Sequence, residues 1–323
     1  MSFYIGNVEI KNKVILAPMA GITSFSYRKF MRQFGDFLVY TEMISDCGLI
    51  YGNQETKRLL FTDNHESPIA IQLFGGDKDN LLKAIDILEK SNFKYDILDI
   101  NLACPVPKVL KSKAGSFLLQ DLDKLYDLMN AICKKSTKPV SAKVRLGFDE
   151  INIINICKIL EKAGVKFISI HCRTKKELYS GTPHYEAISN LKKIINIPYG
   201  VSGNIFSVED ALNALKITNA DAVLLARGGI GNPDLITNIN KALSNKPFNE
   251  NKNLQRQCKY LLDFSKMLID EKGEKSAIAI LKGIAPKFFV GFNNSKTIRQ
   301  KIVSNCNSIA DLKSIINEIL NYN

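Results

Sequence analysis

The chain has 323 residues, 46% hydrophobic and 24% charged, with a formal net charge of +12. That balance supplies a large core and excludes a disordered chain. Its seven cysteines and three histidines form no C-x-x-C pair and no ligand spacing, so neither a disulfide framework nor a metal site is expected. No apolar run approaches the roughly 18 residues of a membrane span. The opening MSFYIGNVEIKNK lacks the basic-then-apolar order of a signal peptide, so a cytoplasmic protein without a membrane partner is expected.

Apolar, β-branched runs recur at 14–20, 37–43, 68–74, 95–102, 139–147, 167–174, 197–204 and 222–228. Between them lie segments with helical spacing, such as Leu81, Leu82, Ala84, Ile85, Ile87 and Leu88, or Leu122, Leu125, Leu128, Met129 and Ile132, often opened by an Asp, Ser or Asn cap. About eight alternating periods predict an α/β chain closed as a (β/α)8 TIM barrel. An open doubly wound sheet would carry a G-x-G-x-x-G turn after its first strand, where this chain has APMAG.

After Leu243 the segment SNKPFNEN is a polar break, and no strand-like run follows. Helical segments are predicted at 254–270, 275–289, 295–303 and 308–321, with Gly283 and Pro286 disturbing the second. The expected organisation is a catalytic barrel over 1–243 and a small C-terminal helical bundle over 250–323. From Lys241 onward there are 14 basic and 7 acidic residues, a net +7 out of +12. Such a tail suits a polyanion, although a Lys-rich composition could arise from biased codon usage alone.

In a barrel, chemistry gathers at the carboxyl ends of the strands. The run 95–102 leads into Asn101, Leu102, Ala103, Cys104 and Pro105, and Pro105 stops it by removing a ladder donor. Cys104 is either a buried small hydrophobe or a functional thiol. The first strand ends in Pro18, Met19 and Ala20, small enough for a planar ligand or simply for a tight turn. Gln72 places an amide, donor and acceptor both, at the rim. Lys143 and Arg145 are two residues apart on one face of an apolar strand, as are His171 and Arg173; for Lys143 the pattern favours an inward anion-binding role over a surface pair. Ser202, Gly203 and Asn204 after the seventh strand, with Ala226 and Arg227 after the eighth, match the usual phosphate loops of such barrels. Together they suggest a phosphorylated cofactor whose ring lies over the strand ends.

Several segments in order, APMAGITSFSYRKF, YTEMIS, PIAIQLFGG, DINLACPVPKV, KAGSFLL, KVRLG, the His171-Cys-Arg-Thr block, SGNI and LLARGGIGNP, carry a family resemblance. Across nearly its whole length the chain resembles the flavin-dependent tRNA-dihydrouridine synthases, most closely the bacterial B-type branch. The resemblance implies an FMN barrel, a helical tRNA-binding domain, NADPH as reductant and D-loop uridines as targets. It implies that Pro18, Met19 and Ala20 contact the flavin ring, Gln72 and Lys143 its polar edge and His171 its ring or tail. Ser202, Gly203, Asn204, Ala226 and Arg227 would hold the phosphate end. Asn101 would face flavin and uracil, Arg145 and Arg173 the substrate, and Cys104 would be the acid that protonates carbon 5 after hydride reaches carbon 6. In the tail, Lys282, Lys287, Lys296, Arg299 and Lys301 could form one basic stripe for RNA. Arg299 and Lys301 are the foremost candidates there, on a short helix capped by Ser295.

The chain departs from the family pattern at Ala103 and Cys172, each in place of a usual Gly, and at Ser202-Gly203-Asn204 in place of Asn-Gly-Asp. Two rival readings remain: a flavin barrel acting on a free pyrimidine or small enone, and a catalytically silent RNA-binding protein. No protein partner is inferred, and the oligomeric state is open.

Overall fold

The computed structural model describes residues 2–321. Its first element is one that periodicity does not announce: β1 (Phe3–Ile5) and β2 (Val8–Ile10) pair antiparallel. Gly6 between them has φ +60, and a Cβ there would meet Pro139 Cβ at 2.7 Å, so the tight turn requires glycine. Ile5 and Ile10 are fully buried against Ile15, Leu38, Tyr40, Ala70, Ile97, Phe167 and Leu224. The hairpin therefore closes one end of the sheet with an apolar layer.

Eight further strands follow: β3 (Val14–Leu16), β4 (Val39–Ser45), β5 (Ile69–Phe74), β6 (Ile97–Leu102), β7 (Val140–Arg145), β8 (Phe167–His171), β9 (Tyr199–Ser202) and β10 (Ala222–Leu225). Each falls within or overlaps a predicted run. They form one sheet in the order β3-β10-β9-β8-β7-β6-β5-β4, all paired ladders being parallel. The two edge strands meet where the Leu16 N–H donates to the Leu38 carbonyl at 3.0 Å. This is the expected TIM barrel. Helices Lys78–Glu89 and Leu122–Lys135 turn Leu81, Ile85, Leu88, Leu125, Met129 and Ile132 inward. Their caps are Asp77 and Asp121, whose carboxylates accept the N–H groups of Asn80 at 2.9 Å and Lys124 at 3.1 Å.

The chain groups into two compact units, and the cut does not fall at residue 243. One unit holds the chain up to Ser24, then Asp36–Ile205 and Glu209–Ala226; the other holds Phe25–Gly35, Phe206–Val208 and the chain from Arg227 on. Helix Phe25–Arg32 joins the second unit through Phe30, whose ring lies 5.5 Å from Phe264, 6.2 Å from Tyr260 and 6.3 Å from Phe288. Helix Asp234–Leu243 belongs there too: the Tyr260 hydroxyl donates to Asp234 at 2.9 Å. The tail helices are Leu254–Lys272, Glu274–Ile284, Ser295–Asn305 and Ile309–Asn321. Pro286 converts the end of the predicted second segment into a separate 3₁₀ turn, Ala285–Phe289. Among the described residues no helix is long and apolar enough to cross a membrane.

Candidate active site

Register brings the expected residues together above the apolar layer. Gln72 pairs with Asp99, Asn101 with Lys143, Arg145 with His171, and His171 with Ser202. Because side chains alternate along a strand, these neighbours share one face, the one on which Ile97 packs against the hairpin cluster.

Asp99 is fully buried. Its carboxylate accepts from Gln72 Nε2 at 2.6 Å and from the Ser141 hydroxyl at 2.5 Å. Gln72 Oε1 accepts from Asn101 Nδ2 at 2.9 Å, and Asn101 Oδ1 accepts the backbone N–H groups of Ala103 at 3.1 Å and Cys104 at 2.9 Å. Burial pushes the Asp99 carboxyl up to about 6, against the hydrogen bonds from Gln72 and Ser141 and the charge of Lys143 that favour its anion. Lys143 moves the opposite way, down to about 8, through lost hydration and the like charge of Arg145, opposed by Asp99 and Cys104. Among the described residues, no carboxylate lies within ion-pair distance of the Lys143 ammonium.

Cys104 is partly exposed at the barrel mouth and held from both sides. Asn101 takes its N–H, while its carbonyl accepts from the Ser116 N–H at 3.1 Å and the Ser116 hydroxyl at 3.0 Å. Gly115 has φ +62, and a Cβ there would stand 2.7 Å from the Cys104 oxygen. The KAGS segment thus needs its glycine to lie against the thiol-bearing turn.

Arg145 and Arg173, expected at the substrate, are 2% and 0% exposed and turn their donors onto backbone carbonyls. Arg145 donates to Ala103 at 2.9 Å, Thr174 at 2.9 Å and Leu178 at 2.7 Å. Arg173 donates to Ser180 at 2.8 Å, Gly181 at 2.6 Å and Asn204 Oδ1 at 3.1 Å. Both guanidinium groups hold the 174–181 loop that carries exposed Leu178 and Tyr179. The Tyr179 ring lies 5.3 Å from the Arg145 guanidinium carbon and 5.9 Å from the His171 ring. Arg173 Nη1 is 3.3 Å from His171 Nε2.

Pro18 and Met19 are half-buried and Ala20 is exposed just beyond β3, where the Met19 N–H donates to the Thr23 hydroxyl at 3.1 Å. The Gly21 N–H donates to the buried carboxylate of Glu42. Ser202 is buried at the end of β9, Gly203 and Asn204 are half-buried, and the Tyr185 hydroxyl donates to the Gly203 carbonyl. Ala226 ends the first unit. Arg227 opens a 3₁₀ turn of the second unit, 5.8 Å from the Phe206 ring.

In the tail, Asn294 rather than Ser295 is the N-cap of helix Ser295–Asn305, with φ +61 and no side-chain cap bond. Lys301 is ion-paired with Glu318 at 2.5 Å and Lys282 donates to Asn307 at 3.0 Å. Lys287, Lys296 and Arg299 are exposed.

Asp99, Ser141, Ser116, Glu42 and Tyr179 belong to this site without having been singled out. Their only signals in the sequence were an acid inside an apolar run and the KAGS and YTEM segments, whose partners lie on other strands.

A barrel whose mouth gathers a thiol, an amide pair, a lysine and a histidine defines the class: a TIM-barrel enzyme acting on a ligand at its strand ends. Residues 15–320 match the profile described as Dihydrouridine synthase (Dus), and the chain belongs to that family. It is 32% identical to tRNA-dihydrouridine synthase B of Pasteurella multocida over 313 residues, covering 96% of this chain and 92% of that one. It is 33% identical to a probable tRNA-dihydrouridine synthase of Aquifex aeolicus over 312 residues, covering 93% and 94%. Among solved structures, an old yellow enzyme homologue from Zymomonas mobilis shares the fold, with a TM-score of 0.53 and 14% identity over 77% of this chain and 93% of that one.

Proposed function

We infer that the chain is a flavin-dependent oxidoreductase that reduces uridine in tRNA to 5,6-dihydrouridine, with FMN at the barrel mouth and NADPH as the reductant, acting in the cytoplasm. One observation carries this reading. A chain that matches the family from residue 15 to 320 presents a thiol at the barrel mouth, fixed through both its backbone N–H and its carbonyl.

The residues fit the cofactor. Lys143 keeps its ammonium for an anionic or electron-rich ligand edge, and Gln72 has a second amide hydrogen not used on Asp99. Pro18, Met19 and Ala20, part-buried to exposed just beyond β3, would meet the flat ring. Ser202, Gly203, Asn204 and Ala226 lie at strand ends where backbone amides meet phosphate, and His171 stands between them and Arg145 in the register. A reduced flavin held by these residues would supply the hydride for carbon 6 of the uracil. Cys104 then donates the proton that carbon 5 requires, a general-acid role typically worth about 10²–10⁴-fold. Asn101 and Lys143 stabilise charge that develops on the uracil carbonyl. The 174–181 loop, braced by Arg145 and Arg173, walls the mouth, and the uridine must leave its stack to enter, costing a few kcal/mol. In the second unit, exposed Lys287, Lys296 and Arg299 meet the RNA backbone.

The test is anaerobic. Flavin in the purified protein, reduced by NADPH, is mixed with unmodified tRNA transcript or with free uridine, and its reoxidation is followed by absorbance. Rapid reoxidation by tRNA alone is expected; equal reoxidation by free uridine would favour a small-pyrimidine enzyme, and colourless protein would rule out flavin.

A further inference from the structure

We propose that Asp99 is a positioning residue: by hydrogen bonds that run one way, from Gln72 to Asp99 and from Asn101 to Gln72, it fixes the turn that carries Cys104. The proposal rests on the reading of Cys104 as proton donor. An ionised carboxylate can only accept hydrogen bonds. Facing Asp99, the Gln72 amide must present its NH₂ at 2.6 Å, which leaves Oε1 toward Asn101. Asn101 must in turn present its NH₂ to Gln72 at 2.9 Å, and its oxygen is left to collect the N–H groups of Ala103 and Cys104. Turned the other way, Asn101 would set an NH₂ against those two N–H groups and leave them without an acceptor.

Both amides are symmetrical in shape, so packing alone does not choose between these orientations; the buried anion at one end and the two backbone N–H groups at the other select the same one. Two observations agree. Met43 Sδ, a weak acceptor, lies 3.8 Å from Asn101 Nδ2, on the donor side. Ser141 occupies the other Asp99 oxygen with its hydroxyl, so the carboxylate is committed to accepting at both ends. Beneath this chain of bonds lie the buried side chains of Ile97, Tyr40 and Phe167.

The variant Asp99→Asn keeps the shape of the side chain but can face Gln72 with either oxygen or nitrogen, so the chain of bonds loses the constraint at its buried end. The experiment reads amide hydrogen exchange at Ala103 and Cys104 in the resting flavoprotein, together with the alkylation rate of Cys104 by iodoacetamide. In Asp99→Asn, exchange at both amides should rise at least about tenfold, the equivalent of one lost hydrogen bond, with exchange in β7 and β8 unchanged. Alkylation should change with it. Reoxidation by tRNA should slow by about ten- to a hundredfold, as misplacement of a reacting group implies. Ser141→Ala, which leaves the Asp99–Gln72 bond in place, should leave exchange at the two amides near wild type. Should Asp99→Asn fail to fold, Gln72→Leu interrupts the same path and should give the same local acceleration. Wild-type exchange at Ala103 and Cys104 in either folded variant would overturn the proposal. Exchange is read without substrate, so it decides the role of Asp99 even if tRNA proves not to be what the enzyme reduces.

Discussion

Replacing Arg145 with alanine removes three hydrogen bonds at once, to the carbonyls of Ala103, Thr174 and Leu178. Each such bond from a charged donor is worth about 1.5–3 kcal/mol in isolation. Against that stands the cost of burying a guanidinium that is 2% exposed and faces no carboxylate within ion-pair distance among the described residues, which the variant recovers. The three acceptors are not equivalent either. Leu178 is 48% exposed and its carbonyl can turn to water, while Ala103 is 5% exposed and its carbonyl cannot do so readily. The net loss should be about 3 kcal/mol, a large share of the roughly 5–15 kcal/mol that holds a folded protein together. It should be seen as a lower urea midpoint and as faster trypsin cleavage after Lys175 and Lys176 in the released loop. Arg145→Lys should recover less than half, since one ammonium on a flexible stem cannot span three carbonyls. Because the Ala103 carbonyl adjoins Cys104, tRNA turnover should fall with stability. A folded Arg145→Ala protein with an unchanged midpoint and unchanged loop cleavage would refute the bracing role and return Arg145 to the substrate.

Cys104→Ala should bind flavin and accept electrons from NADPH yet turn over tRNA at least about a hundredfold more slowly, whereas Cys172→Ala, at a buried position away from the proton path, should be mild; stopped-flow absorbance separates the two half-reactions. In the second unit, Arg299→Ala should flatten the salt dependence of tRNA binding by about one unit of slope, and Lys301→Ala by less because Glu318 already neutralises it; equal effects in filter binding would contradict that difference. Asp99 holds its proton more tightly folded than unfolded, so its contribution to stability is fully present below the ordinary carboxyl range near 4 and is lost as pH rises through about 6. Lys143 releases its proton more readily when folded, so its contribution is present above the ordinary range near 10.4 and is lost as pH falls through about 8. The difference in unfolding free energy between wild type and Asp99→Asn should therefore vary with pH between about 4 and 6, and that between wild type and Lys143→Met between about 8 and 10.4; differences flat across those windows would contradict the two shifts.

The eight barrel strands were legible because each is a β-branched run of adequate length, and the turn that carries Cys104 because Pro105 follows the run so closely, although β6 itself ends at Leu102. The hairpin was not: Phe3–Ile5 and Val8–Ile10 are too short for a period of two to stand out around Gly6-Asn7. Arg145 and Arg173 show in the sequence as charge, but what they face is a loop folded back from residues 174–181, and only the folded chain brings those carbonyls to them. Asp99 read as one polar position in an alternating strand; its importance comes from Gln72, 27 residues earlier, and depends on the register between β5 and β6. The tail misled in the same way. Ser295 looks like a cap and Lys301 like a free cation, while the left-handed backbone at Asn294 and the packing of Glu318 onto the neighbouring helix decide otherwise. Helix Phe25–Arg32 groups with the tail through aromatic contacts that no local pattern encodes.

The central claim, that Cys104 protonates a uracil reduced within tRNA, is tested most directly by mass spectrometry of nuclease fragments of tRNA from cells lacking the gene and complemented with wild type or Cys104→Ala. The account predicts that the wild type restores a gain of two hydrogen atoms at defined uridines and that Cys104→Ala does not. Fragments of unchanged mass whether or not the gene is present, or full restoration by Cys104→Ala, would contradict it.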